Sequence, residues 1–128
     1  MLRFQNITIV IVEDNSDVRL LIADFLAKNG AVVFAAKNGL EGFALVRKNR
    51  PDVVLSDINL PGRNGFELLA DIRALGRHGG GNVPVIAMTA FGRALGREAT
   101  LAAGFQAHLD KPFSPDQLLM TIDSVLNS

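Results

Sequence analysis

Three carboxylates, a hydroxyl and an ammonium stand at the ends of separate apolar stretches of this chain. Glu13 and Asp14 follow Ile7-Thr8-Ile9-Val10-Ile11-Val12, and Asp57 closes Asp52-Val53-Val54-Leu55-Ser56-Asp57. Thr89 ends the stretch from Val83, and Lys111 follows Gln106 to Asp110. Carboxylates gathered at one place repel, each raising the pKa of the others unless a cation intervenes. A hard divalent cation with oxygen ligands suits such a site. Mg²⁺ fits because it binds through one or two carboxylates plus phosphate oxygens. A carboxylate is also a nucleophile toward phosphorus, forming an aspartyl phosphate. Lys111 and Thr89 would then meet the remaining phosphoryl oxygens by ion pair and hydrogen bond.

What must position these groups is an alternation of strand and helix. Ile7 to Val12 is β-branched and apolar on both faces, as a buried parallel strand requires. Val18, Leu21, Ile22, Phe25 and Leu26 recur at helical spacing until Asn29-Gly30 stops them. Ala31 to Ala36 reads as the second strand, Asn38 caps a helix carrying Leu40, Phe43 and Ala44, and Pro51 ends it before the third strand. A turn from Leu60 to Gly65 leads into a helix with Phe66, Leu69 and Ile72 on one face. Gly76 to Asn82 is expected to be a mobile loop, since it holds four of the twelve Gly. It precedes a strand and lacks GxxxxGK[ST], so it is no phosphate cradle. Val83 to Thr89 is the fourth strand. An Ala-rich helix from about Arg93 to Ala103, interrupted by Gly96, closes at Gly104. Gln106 to Asp110 is the last strand, and Ser114-Pro115-Asp116-Gln117 opens a helix with Leu118, Leu119, Ile122, Val125 and Leu126 on its apolar stripe. Strict alternation over five units predicts an α/β, doubly wound parallel sheet with helices on both faces. In such sheets ligands bind beyond the carboxyl ends of the strands, where the chemistry-bearing residues fall.

Composition narrows the rest. A chain of 128 residues fits one domain, 1–128, able to bury a core without staples. With no Cys, thiol catalysis, thiolate metal sites and disulfides are excluded. Lys+Arg 13 balances Asp+Glu 13, and Trp and Tyr are absent, so direct nucleic-acid binding is not expected. The apolar runs are too short to span a bilayer, and no leader is visible at the N-terminus. A soluble cytoplasmic protein without an output domain is expected.

The motifs Val12-Glu13-Asp14-Asn15, Asp57-Ile58-Asn59-Leu60-Pro61 with Gly65, Thr89-Ala90, and Lys111-Pro112-Phe113 together resemble a response-regulator receiver domain, from Ile7 to about Leu126. The resemblance implies a flavodoxin-like (βα)5 fold with strand order 2-1-3-4-5. It implies Asp57 as phosphoacceptor, taking the group from a phosphohistidine of a histidine kinase or histidine phosphotransfer protein. It implies Mg²⁺ held by Asp14, Asp57 and the main-chain carbonyl of Asn59, with Glu13 acting through water. Thr89, Ala90 and Lys111 fall to phosphoryl binding and switching, and the Lys111–Pro112 bond is expected to be cis. The signal is expected to leave through the face built by the fourth and fifth helices and the last strand. The chain departs from the family at His108, where a Tyr or Phe is usual. A surface ring that turns inward after phosphorylation is expected there, with coupling that declines below about pH 6.5 as imidazole protonates. Phe91 is expected near the mouth of the site, modulating access of water.

Other readings compete. Glu13-Asp14 could start a helix as a solvated turn, Asp57 could cap a loop, and Thr89 could serve only its strand. A haloacid-dehalogenase-type aspartyl phosphatase would need a second carboxylate two residues after Asp57, where Asn59 stands. A flavodoxin-like FMN carrier would want a hydroxyl-rich loop where Glu13-Asp14 stands. A receiver excised from a hybrid histidine kinase stays open, as Ala103 to Pro112 resembles such receivers. The chain is expected to be a signalling domain, not a turnover enzyme.

Overall fold

The computed structural model describes residues 2–90 and 96–127, over which strand and helix alternate without exception. The order is β1 (Thr8–Val12), α1 (Ser16–Lys28), β2 (Val32–Ala36), α2 (Gly39–Asn49), β3 (Val53–Asp57) and α3 (Gly65–Arg73). A short 3₁₀ turn (Arg77–Gly79) precedes β4 (Val85–Ala90), α4 (Arg97–Ala103), β5 (Ala107–Lys111) and α5 (Pro115–Leu126). The strands form one sheet in the order β2-β1-β3-β4-β5, every pair parallel, as expected.

Side chains of a strand point alternately to opposite faces, so each strand feeds two cores. Ile9, Ile11, Leu55, Ile86 and Met88 pack with Ile22, Leu26, Leu118 and Ile122 on the side of α1 and α5. Val10, Val12, Val54, Val85 and Ala87 pack with Val46, Leu68, Leu69, Ile72 and Phe105 on the other. Four helices are capped by side-chain oxygens at the spacing that relieves orphan amides. Asn15, Asn38, Asn64 and Ser114 accept from the amides of Val18, Glu41, Glu67 and Gln117.

Three local features depend on the tertiary structure. Leu40 of α2 is 74% exposed, while Gly39, Gly42 and Val46 face inward. A Cβ on Gly42 would stand 2.6 Å from Val12 Cγ2, so close approach of the helix to β1 selects the smallest residue. The Gly76–Asn82 segment is tied down. The amides of Gly79 and Gly81 donate to the Gly76 carbonyl, and the half-buried Arg73 guanidinium donates to the carbonyls of Gly81 and Val83 at 2.9 and 2.7 Å. Its glycines instead serve left-handed positions, with φ of +74° at Gly76 and +85° at Gly80. Gly96 does not interrupt α4 but is its N-cap. The part of that helix expected before Gly96, and Phe91, lie outside the described residues. No helix among the described residues is long and apolar enough to cross a membrane.

Candidate functional site

Glu13 and Asp14 leave the carboxyl end of β1, Asp57 ends β3 and Lys111 ends β5. With β1 between β2 and β3, the strand order reverses beside these residues, the place where doubly wound sheets open a crevice. One oxygen from each of Glu13, Asp14 and Asp57 lies within 4.8 Å of the others. Glu13 is 1% exposed and Asp57 6%, while Asp14 faces solvent.

Lys111 spans the buried pair. Its Nζ donates to Asp57 Oδ2 at 3.0 Å and to Glu13 Oε1. Main-chain amides occupy the remaining oxygens: Asn15 N donates to Glu13 Oε2 at 3.0 Å and Asn59 N to Asp57 Oδ1 at 3.2 Å. Burial pushes the Glu13 carboxyl above its ordinary value, against the hydrogen bonds from Lys111 and Asn15, and the nearby Asp57 charge adds to the rise. Burial alone would lower the Lys111 ammonium, but its bonds to Glu13 and Asp57 and their charge outweigh it and raise it. Three carboxylates against one ammonium leave an excess of hard oxygen donors with a solvent-facing member. That donor set fits a hard divalent cation such as Mg²⁺.

Arg19, which the motifs did not include, and Gly65 of the Asp57 motif hold this arrangement. Arg19 Nη1 donates to the Glu13 carbonyl at 2.9 Å and reaches that of Asp14 at 3.4 Å, tying α1 to the acidic loop. A cation near a helix N-terminus opposes the helix dipole, and that misfit was the signal available for Arg19. Gly65 donates its amide to the Ile58 carbonyl at 2.8 Å beneath the Asp57 loop.

The other expected residues sit beside this cluster. Thr89 is 2% exposed, but its hydroxyl meets β5: Oγ1 lies 3.1 Å from His108 Nε2 and 3.4 Å from Asp110 Oδ1. Ala90 pairs with Lys111 across the β4–β5 ladder. The Lys111–Pro112 bond is cis. His108 is not a surface ring waiting outside. It is already buried, with Nδ1 2.8 Å from the hydroxyl of Thr100, a wholly buried residue of α4. A single β-branched hydroxyl residue in the Ala-rich α4 was the sequence signal for Thr100. Its role depends on what α4 packs against.

Comparison with known proteins agrees with this geometry. The family model described as response regulator receiver domain matches residues 9–123. The chain is 38% identical over 122 residues to the polar-differentiation response regulator DivK of Brucella anthropi, covering 93% of this chain and 95% of that one. It is 35% identical over 113 residues to sporulation initiation phosphotransferase F of Bacillus subtilis, covering 88% of each. The receiver domain of a sensor histidine kinase from Pseudomonas aeruginosa, solved with a magnesium ion coordinated in its active-site cleft, superposes with a TM-score of 0.84 at 31% identity. That match covers 95% of this chain and 98% of that domain.

Proposed function

This chain belongs to the response regulator receiver family, and from that membership and the site geometry we propose that Asp57 accepts a phosphoryl group from a phosphohistidine. The observation that carries the proposal is the Lys111 ammonium bonded to both Asp57 and Glu13 beside the solvent-facing Asp14. Asp57 supplies the carboxylate oxygen that attacks phosphorus. As that P–O bond forms, the P–N bond to the donor imidazole breaks and its electron pair returns to the ring nitrogen. Lys111, already at Oδ2, follows the charge onto a phosphoryl oxygen, and Thr89 supplies a hydroxyl from β4. Asp14, Asp57 and the main-chain carbonyl of Asn59 would hold Mg²⁺, with Glu13 behind them through water. Bound there, the ion would offset repulsion between the carboxylates and the incoming phosphoryl oxygens.

The names of the relatives support the choice of donor. One relative is a phosphotransferase and one structural neighbour belongs to a sensor histidine kinase, so a histidine kinase or histidine phosphotransfer protein is the partner class. The cytoplasm is the compartment this reading places it in. The changed site then alters partner affinity through the face of α4, β5 and α5.

The test is incubation with acetyl phosphate and Mg²⁺, followed by peptide mapping. One base-labile phosphoryl group is expected at Asp57, and it disappears in Asp57→Ala. Label that persists unchanged in that variant would defeat the assignment.

A further inference from the structure

The His108 ring joins three elements through polar contacts. Nδ1 lies 2.8 Å from Thr100 Oγ1 on α4; Nε2 lies 3.1 Å from Thr89 Oγ1 on β4 and 2.9 Å from Asp110 Oδ1 on β5. Counting donors limits the protonation states the ring can hold. Thr100 has a single hydroxyl proton and two acceptors in reach, the Arg97 carbonyl at 3.0 Å and Nδ1 at 2.8 Å; when the carbonyl takes the proton, the hydroxyl oxygen accepts from Nδ1–H. A neutral ring in that tautomer presents a bare lone pair at Nε2, the nearer acceptor for the Thr89 hydroxyl at 3.1 Å, with Asp110 Oδ1 its other acceptor at 3.4 Å. In that state the lone pair also faces the Asp110 carboxylate with no proton between them. A proton on Nε2 reverses the arrangement. Nε2–H donates to Asp110, and the Thr89 hydroxyl is free to donate elsewhere.

The charged surroundings are few. Asp110 on β5 is the nearest, Arg97 of α4 lines the same cleft, and α5 contributes the uncharged Gln117, Met120 and Thr121. Lys111 is engaged with Glu13 and Asp57. Among the described residues, Asp110 is therefore the group that would favour an imidazolium.

We propose that His108, oriented by Thr100, restrains the Thr89 hydroxyl, and that releasing Thr89 to a phosphorylated Asp57 takes up one proton from solvent onto Nε2, which then pairs with Asp110. The proposal rests on the reading of Asp57 as phosphoacceptor and Thr89 as phosphoryl ligand. Because the phosphorylated state binds one more proton, acid favours it, the opposite of the decline expected for a ring that must enter neutral. Linkage sets the ceiling at roughly tenfold in affinity per pH unit.

The experiment uses beryllofluoride with Mg²⁺ as the phosphoryl mimic on the whole chain. Its affinity is measured by calorimetry from about pH 8 to about pH 6, and the His108 ring nitrogens are followed by NMR. In wild type, affinity should rise toward acid by several-fold more than in His108→Phe, and at constant pH the mimic should move the ring signals toward imidazolium. Asp110→Asn, an exposed position that leaves the core untouched, should still bind the mimic but lose most of that pH dependence. A wild-type pH slope equal to that of His108→Phe, or a ring that stays neutral with the mimic bound, overturns the latch alone. Absence of Asp57-dependent binding overturns the functional reading and the latch with it.

Discussion

Gly65 lies so close to Asp57 that an added Cβ would stand 2.6 Å from the main-chain oxygen of Asp57, and 2.8 Å from Cα of Ile58. Both neighbours are backbone, so no side chain can swing aside. Gly65→Ala must therefore move the loop that carries Asp57. We expect a loss of about 1–3 kcal/mol in urea denaturation and weaker Mg²⁺ binding. Unchanged stability and unchanged Mg²⁺ affinity would contradict the contact.

The carboxylate cluster should make the metal-free protein responsive to cations. Mg²⁺ binds the folded state, so millimolar Mg²⁺ should raise the melting temperature of wild type. Asp57→Asn should stabilise the metal-free protein by on the order of 1 kcal/mol through lost repulsion, while forfeiting most of the Mg²⁺ increment. Equal melting temperatures for both proteins with and without Mg²⁺ would sink the pocket.

Lys111 offers a test on the alkaline side. Its value is raised in the folded state, so the stability it contributes is fully present below the ordinary lysine value of about 10.4 and is lost as pH rises through the raised one. Lys111→Met should cost about 1–3 kcal/mol at neutral pH, less than a fully buried pair because solvent reaches the ammonium. The gap between wild type and variant should narrow only at pH above roughly 10.4. A gap that is constant through that range would argue against the ion pairs.

Glu13 titrates with the same sign in a more acid window. Its raised value means that the protonated form suits the fold, so its contribution is present below about pH 4.3 and is lost as pH climbs through the raised value. Relative to wild type, Glu13→Gln should therefore gain stability as pH rises across that window. Melting curves of both proteins from about pH 4 to about pH 7 decide it. A difference that stays flat would remove Glu13 as the titrating group.

Arg73 holds the Gly-rich segment with main-chain acceptors instead of a carboxylate. It donates to the carbonyls of Gly81 and Val83 and, at 3.1 Å, to Gln106 Oε1. Arg73→Ala should cost about 2–3 kcal/mol, since hydrogen bonds to charged groups are the stronger class. Amide exchange of residues 76–82 should quicken in the variant; unchanged exchange would show that the segment is held by other means.

The strand–helix alternation, the parallel sheet and the caps at Asn38 and Ser114 were legible in the amino-acid order, because periodicity and capping are properties of neighbouring residues. So was the gathering of Glu13, Asp14, Asp57 and Lys111 at one edge, since a parallel sheet sends every strand's carboxyl end the same way. The exposure of Leu40 and the anchoring of the Gly76–Asn82 segment were not legible in the amino-acid order, because both are set by distant partners. Gly42 brings α2 down onto Val12, and Arg73 reaches across to pin a glycine run that local composition marks as loose. His108 shows the division most plainly. Its position three residues before Lys111 stands out only against the Tyr or Phe usual in the resembled family, and whether an imidazole is inside or outside depends on partners for two nitrogens. Thr100 of α4 and Thr89 of β4 supply them only once packing brings those elements together, because burial of an unpaired ring nitrogen is costly and burial of a paired one is not.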